Sequence, residues 1–433
     1  MNQIFKKLED RNADVSIIGQ GYVGLPLAVA AAQAGYRVTG IDLDEEKIRC
    51  LSQGQSFNPD VPSDTIASLT EQKKLRFSSQ FSSLAEADVV CICVPTPLDE
   101  QKNPDLSCVL GAAHEVKRFL RRGQLIVLES TVQPGATEEI LRPLLEETGL
   151  RCGTDFYLAF SPERIDPGNR HFGLRNTPKI VGGTTPEATE AAKAFYGSFV
   201  ERVVPVSSSQ AAEMAKLLEN TFRAVNIAFA NEVSLMCRKL GIDAWEVIDA
   251  AATKPFGYMA FYPGPGVGGH CIPVDPLYLD QKLKSKNFES RFIKAADEIN
   301  SERPAVVAHT VEEALKKQGK EIKGAKLLVL GLSYKKDVSD VRESPSVEVA
   351  RQLMEMGAKV DYSDPHVPRF ILNDRLLTST PLNGNVKTYD AVVLLTPHSD
   401  FDLKTLAEEA ALFIDTRNAT KDMVEQAYKI VRL

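Results

Sequence analysis

From Val15 onward, short apolar runs rich in β-branched residues alternate with stretches of helical periodicity. Val15-Ser-Ile-Ile18, Arg37-Val-Thr-Gly-Ile41, Val89-Val-Cys-Ile-Cys-Val94 and Leu125-Ile-Val-Leu128 read as strands. Continuous apolar strands set between helices belong to a parallel sheet covered on both faces, so a doubly wound domain is expected to about Pro205. Ser207-Ser-Ser209 offers helix-capping hydroxyls. From Ala211 to Leu240, Met214, Leu217, Leu218, Phe222, Val225, Phe229, Val233 and Met236 recur at helical spacing without a proline. A helix of about 30 residues is about 45 Å long, enough to link two domains, form a dimer seam or cross a core. After the Pro/Gly-rich segment Tyr262-Pro-Gly-Pro-Gly-Val-Gly-Gly-His270, helical spacing returns from about Phe288 to Lys317. Strand-like runs then resume at Lys326–Gly331, Ala358–Asp361, Ala391–Leu395 and Leu412–Asp415. The expected plan is α/β: a sheet domain over 1–205, a central helical domain with the long helix over 206–318, and a second sheet domain over 319–433. At roughly 150 residues per domain, the 433-residue chain fits three.

Composition narrows the function. Hydrophobic residues at 43% and charged residues at 25% exclude a disordered, collagenous or coiled-coil chain. Lys+Arg 51 against Asp+Glu 58 gives −7, which repels polyanions and argues against nucleic-acid or anionic-membrane partners. An anionic ligand then requires a local basic site. Met1–Asp14 lacks a secretory apolar core, and no apolar run approaches the ~20 residues of a spanning helix, so a cytoplasmic location is expected. Seven scattered cysteines read as reduced thiols. Cys91 and Cys93 have no second ligand pair at zinc spacing, and no metal is expected.

Gly19-Gln-Gly21-Tyr22-Val23-Gly24 follows the first strand and opens an Ala-rich helix. Small residues there let a pyrophosphate approach the backbone N–H groups at a helix N-terminus. Asp42 ends the second strand, 18 residues after Gly24, where a carboxylate accepts from an adenosine ribose and repels a 2′-phosphate. A bare glycine motif marks a tight turn and little more; strand, helix and acid together point to NAD. Both sheet domains are thus read as Rossmann-like, doubly wound parallel sheets. Pro95 and Thr96, in Val94-Pro-Thr-Pro97, close a third strand as a rim for the cofactor or as a plain strand terminator.

Four further segments carry chemistry. Gly268-Gly-His-Cys271-Ile-Pro-Val-Asp275 sets a thiol in a permissive backbone, where a nearby helix start would stabilise a thiolate nucleophile. Lys216 and Asn220, at i and i+4, share one face of the long helix and could stabilise an oxyanion; alternatively Lys216 is merely paired to Glu213. Glu129-Ser-Thr131-Val-Gln-Pro-Gly135 and Ser161-Pro-Glu163-Arg164-Ile-Asp-Pro-Gly168 sit at strand carboxyl ends, the edge where α/β ligands bind. Thr131 and Glu163 are candidates for holding a water or a substrate hydroxyl, or are turn residues. Lys335-Lys-Asp337 and Arg342-Glu-Ser344 supply local positive charge for phosphates, or form a solvated cluster.

These motifs, in this order over nearly the whole chain, resemble the nucleotide-sugar 6-dehydrogenase family that includes the UDP-glucose and GDP-mannose dehydrogenases. Ser161–Gly168 and Phe261–Pro276 look most like the branch acting on UDP-N-acetylhexosamines, UDP-N-acetylglucosamine above all. UDP-glucose enzymes typically carry a second glutamate four residues after the one matched by Glu163. Pro167 stands there in this chain, which disfavours UDP-glucose.

The resemblance implies a four-electron oxidation of the sugar C6 alcohol. NAD takes a first hydride, and Cys271 captures the aldehyde as a thiohemiacetal; a second hydride loss gives a thioester, which water hydrolyses to the uronate. Lys216 and Asn220 would stabilise the oxyanion, and Thr131, Glu163 and Asp275 would handle water and protons. It also implies cofactor contacts from Gly19 to Gly24, Asp42, Pro95, Thr96, Thr131 and Arg342. Substrate contacts would come from Glu163, Arg164, Lys216, Asn220, Tyr262, Gly268 and Lys335. A UDP-binding terminal domain, a homodimer through the central helices and a role in surface polysaccharide synthesis follow from it as well. UDP-N-acetylmannosamine is the nearest alternative substrate, then UDP-glucose, with a galacto sugar left open. Outside the family stand a single-step alcohol dehydrogenase, yielding one NADH per product, and a noncatalytic nucleotide-sugar sensor.

Overall fold

The computed structural model describes every residue except Met1, Pro59, Glu100, Pro167, Gly168, Arg170, His270 and Asn383. The chain forms two compact units: Met1–Glu219 with Leu277–Phe288, and Asn220–Pro276 with Glu289–Leu433.

In the first unit, strands β1 (Asp14–Ile18), β2 (Arg37–Ile41), β3 (Leu75–Ser78), β4 (Val89–Ile92), β5 (Leu125–Leu128), β6 (Tyr157–Phe160), β7 (Lys179–Gly183) and β8 (Val203–Pro205) form one sheet. Its order is β3-β2-β1-β4-β5-β6-β7-β8, parallel except where β7 runs against β6. The unbroken apolar runs have the cause inferred from them. Ile17, Val89, Cys91, Leu125 and Val127 enter one core, while Ile18, Val90, Ile92, Ile126 and Leu128 enter the other, so alternate residues of each strand bury on opposite faces.

In the second unit, β9 (Lys326–Leu330), β10 (Lys359–Ser363), β13 (Ala391–Leu394), β14 (Phe413–Asp415) and β15 (Ile430–Arg432) form a parallel sheet in the order β10-β9-β13-β14-β15. β11 (Arg369–Leu372) and β12 (Arg375–Thr378) make a separate hairpin, turned by Asn373 and Asp374 at φ 50° and 59°. β9 lies between β10 and β13 as β1 lies between β2 and β4, and both first crossovers end on an aspartate, Asp42 or Asp364. The two Rossmann-like sheets expected from the sequence are present.

The paired aspartates differ in what they hold. Asp364 is buried, and its carboxylate accepts from the backbone N–H groups of Leu332, Ser333, His366 and Val367 at 2.7–3.1 Å. His398 Nε2 lies 3.2 Å away. Burial works to raise the Asp364 carboxyl, but the His398 and backbone donors outweigh it and hold it below its usual range.

The long helix spans Ser209–Leu240, starting in the first unit and ending in the second. Leu217 is buried, but Met214, Leu218, Phe222, Phe229, Met236 and Leu240 are exposed, so the periodic apolar positions are only partly a core face. The second helix spans Arg291–Lys317 and continues through Pro304. A ten-residue helix, Asp275–Lys284, follows the Gly-rich segment. None of the described helices is long and apolar enough to cross a membrane.

Candidate active site

In the first unit, Gly19 takes φ +93°, and a Cβ on it would come within 2.6 Å of the Cys93 carbonyl oxygen. A Cβ on Gly24 would fall 1.8 Å from the Gly19 oxygen. These two glycines serve the turn itself. Gly21 differs, because a Cβ there meets no atom within 4 Å, so its bareness serves something other than the protein's own packing. Tyr22 and Val23 lead into helix Gly24–Gln33. Asp42 reaches back to this turn: its Oδ2 accepts from the Gln20 N–H at 2.8 Å and from Lys47 Nζ at 2.9 Å, and its Oδ1 from the Asp44 N–H at 3.0 Å. An open glycine face, a helix start and a fixed carboxylate fit a dinucleotide. Gly21→Val is therefore expected to leave thermal stability unchanged while weakening NADH binding by about 1–3 kcal/mol, roughly 5–150-fold, from the clash. Calorimetric titration checks this, and undiminished affinity would remove the pyrophosphate from that face.

Pro95 is exposed and Thr96 half-buried beyond β4. Ser130, beside half-buried Thr131, donates from Oγ to the Val94 carbonyl at 2.7 Å and so ties the ends of β5 and β4 together. Glu163 Oε1 accepts the N–H groups of Arg164 and Ile165 at 2.6 and 2.7 Å. Arg164 is engaged by Glu219, with Nη2 to Oε1 at 2.7 Å and Nε to Oε2 at 3.2 Å, and donates from Nη1 to the Pro178 carbonyl at 2.5 Å. Pro167 lies outside the described residues.

Glu213 is not the partner of Lys216. Its fully buried carboxylate accepts from Gly135 N–H at 2.5 Å and from Thr137 N–H and Oγ1 at 2.9 and 2.6 Å. Burial raises its carboxyl above the usual range, against the pull of the Thr137 and Gly135 donors. The segment carrying Thr131 is thereby anchored to the long helix. The Lys216 side chain, also buried, makes no hydrogen bond or ion pair with another described residue.

In the second unit, buried Asn220 donates from Nδ2 to Asp275 Oδ2 at 2.5 Å. The Asp275 N–H donates to the Cys271 carbonyl at 2.8 Å, closing the turn from which the helix Asp275–Lys284 starts. Three of the expected residues thus meet. Cys271 is half-buried and just ahead of a helix N-terminus, the setting that favours a thiolate.

The glycines of this loop have a packing reason beyond permissiveness. A Cβ on Gly268 would lie 2.6 Å from Tyr334 Cβ and 2.7 Å from Pro345 Cδ, and Gly269, at φ +88°, donates its N–H to the Arg342 carbonyl at 3.2 Å. Two motifs separated in sequence therefore press together. Lys335 is half-buried beside them, while the Arg342 side chain pairs with Asp340. Tyr262 stacks on Trp245 at 5.3 Å and donates to Asp249 at 2.7 Å.

Sequence reasoning missed the clamps on Gly264. Its N–H donates to buried Asn231 Oδ1 at 3.0 Å, its carbonyl accepts from buried Arg303 Nε at 2.8 Å, and Arg417 Nη1 would touch any Cβ placed on it. Burial lowers both Arg303 and Arg417 to about 10. Asp337, His366 and His398 also come together, but His398 Nδ1 already accepts the Asp337 N–H at 3.0 Å.

Residues 13–200 match the NAD-binding domain, 210–302 the central domain and 328–422 the UDP-binding domain of the UDP-glucose/GDP-mannose dehydrogenase family. A UDP-N-acetyl-D-glucosamine 6-dehydrogenase of Pseudomonas aeruginosa is 37% identical over 396 residues, covering 90% of this chain and 92% of its own. A UDP-D-ManNAc dehydrogenase structure from Pyrococcus horikoshii superposes with TM-score 0.86 at 36% identity, covering 94% of this chain and 95% of that one. An NDP-N-acetyl-D-galactosaminuronic acid dehydrogenase structure from Methanosarcina mazei gives 0.82 at 30% identity, covering 100% and 97%. With all three domains matched in order, this chain belongs to the UDP-glucose/GDP-mannose dehydrogenase family, whose cofactor is NAD.

Proposed function

We propose that the chain oxidises the C6 hydroxyl of UDP-N-acetylglucosamine to the uronate, with UDP-N-acetylmannosamine as the second reading. The observation that carries the chemistry is the meeting of Cys271, Asp275 and Asn220 at one helix start. The name of the Pseudomonas relative supports the gluco sugar, and that of the Pyrococcus structure the manno sugar.

Gly19, Gly21, Tyr22, Val23 and Gly24 would cradle the NAD pyrophosphate, with Asp42 on the ribose and Pro95, Thr96, Thr131 and Arg342 at the rim. When bound, NAD would accept the hydride leaving C6 in each of two oxidations, and in the first the hydroxyl proton would pass to a water near Thr131 and Asp275 or Lys216. Cys271 sulfur bonds to the aldehyde carbon, so the half-oxidised sugar stays attached. Lys216 and Asn220 donate to the oxygen that becomes negative, which stabilises the adduct without reorganisation. Loss of the second hydride leaves a thioester. Water then bonds to the acyl carbon, the C–S bond breaks with its electron pair returning to sulfur, and the water proton passes to Glu163 or Asp275. Arg164, Tyr262, Gly268 and Lys335 would hold the nucleotide sugar. Arg417, set against the Gly264 loop, adds cationic charge for its phosphates.

The same reading divides the chain into NAD-binding residues 1–205, a central domain 206–318 and UDP-binding residues 319–433. A second copy of the chain would cover the exposed stripe from Met214 to Leu240. Side-by-side NADH production with UDP-N-acetylglucosamine, UDP-N-acetylmannosamine, UDP-galactose-configured analogues and UDP-glucose tests the assignment. The gluco acetamido sugar is expected to give the highest kcat/KM, with two NADH per sugar. One NADH per sugar on every substrate would refute the four-electron reaction, and a higher value for the manno sugar would reassign the substrate.

A further inference from the structure

A buried charge cluster that the reaction above leaves unused lies at the carboxyl-end edge of the first sheet. Lys179, the first residue of β7, donates from Nζ to Glu129 Oε2 at 2.6 Å and to the Pro162 carbonyl at 3.1 Å, and stands 3.5 Å from Glu163 Oε2. The Lys179 and Glu129 side chains are 3% and 0% exposed. Tyr196 donates to the other oxygen of Glu129 at 2.5 Å. Cys91 and Cys93, on and just after β4, are the remaining titratable groups facing the cluster. Burial works to lower Lys179, but the Glu129 and Glu163 carboxylates outweigh it and hold the ammonium above its usual range.

A buried ion pair adds little stability compared with apolar residues of the same volume, so its presence asks for another reason. The geometry supplies one. Backbone N–H groups fix Glu163 Oε1, and Lys179 faces Oε2 without closing on it, because its short bond is spent on Glu129. Oε1 is fixed by two backbone donors, whereas Oε2 has only the 3.5 Å lysine contact among the hydrogen bonds above, and a carboxylate oxygen can accept a further hydrogen bond from a water.

We propose that Lys179 is a positioning residue that presents Glu163 Oε2 to the water cleaving the thioester, and that Glu129 and Tyr196 hold Lys179 back from pairing fully with it. This rests on the proposed role of Glu163 in that hydrolysis.

The test compares Glu163→Gln, the charge-balanced Glu129→Gln/Lys179→Met and Glu129→Gln alone, with UDP-N-acetylglucosamine and NAD. Intact-protein mass during turnover reads the acyl-enzyme, while thermal melts and NADH titration check the fold. The double variant is expected to keep KM for the sugar, lose about 10²-fold in kcat and accumulate an acyl adduct, as Glu163→Gln does. Glu129→Gln frees Lys179 to close on Oε2 and should also slow hydrolysis, which carries the test if the double variant does not fold. Accumulation in Glu163→Gln with wild-type hydrolysis in the other variants overturns the role of Lys179 while leaving that of Glu163. No accumulation in Glu163→Gln overturns both.

Discussion

Cys271→Ser should stop after the first oxidation, with sustained formation of two NADH per sugar falling by roughly 10³-fold or more. The serine hydroxyl, with its much higher pKa, is a far poorer nucleophile than a thiolate at neutral pH. Cysteine needs less help, since its half-buried sulfur sits just ahead of a helix N-terminus. The fold should be unaffected, because the turn is closed through the Cys271 carbonyl. Stopped-flow NADH absorbance with wild-type melting behaviour is the measurement. Full two-step turnover by the variant would exclude a Cys271 thioester, whereas one NADH per product with full activity in the variant would make the single-step alcohol dehydrogenase the better description.

Glu213→Leu should cost about 2–5 kcal/mol of stability. Three donors lose their acceptor at once, and a buried orphan donor costs about 1–3 kcal/mol, with the Thr137 hydroxyl free to turn elsewhere. Leucine has similar bulk, so cavity formation is a small part of the loss. Glu213→Gln keeps one acceptor oxygen and should lose about half as much. Turnover should fall in both, because Gly135 and Thr137 no longer anchor the segment that carries Thr131. Denaturant titration of the three proteins checks the order, and a wild-type midpoint in Glu213→Leu would show that the contact is incidental.

The two sheets were legible because their strands bury both faces and so leave an unbroken apolar signature; β4 and β9 are examples. β7 is not legible, because only Ile180 and Val181 are apolar before Gly182-Gly183, and the partners of its first residue, Glu129 and Glu163, come from the ends of other strands. Helix Asp275–Lys284 was hidden by its polar composition and by Pro276 in the first turn. The hairpin turn at Asn373-Asp374 lacks the glycine that usually marks one, because Asn and Asp themselves tolerate the positive φ. Among the site residues, Cys271 and Asp275 could be read from one short motif. Glu213 was misread because helical spacing offered Lys216 as its neighbour, whereas a loop 78 residues away supplies three donors.

Asp364 is engaged by four backbone N–H groups and by His398, and the NAD-binding domain match covers only residues 13–200, so on the proposed reaction both equivalents of oxidant pass in succession through the berth beside Asp42. On the proposed reaction, the spent carrier departs and a fresh one arrives while the sugar stays aboard, tethered through sulfur. The lifetime of that tether therefore has to outlast a carrier exchange, which sets a lower bound on how slowly the adduct falls apart.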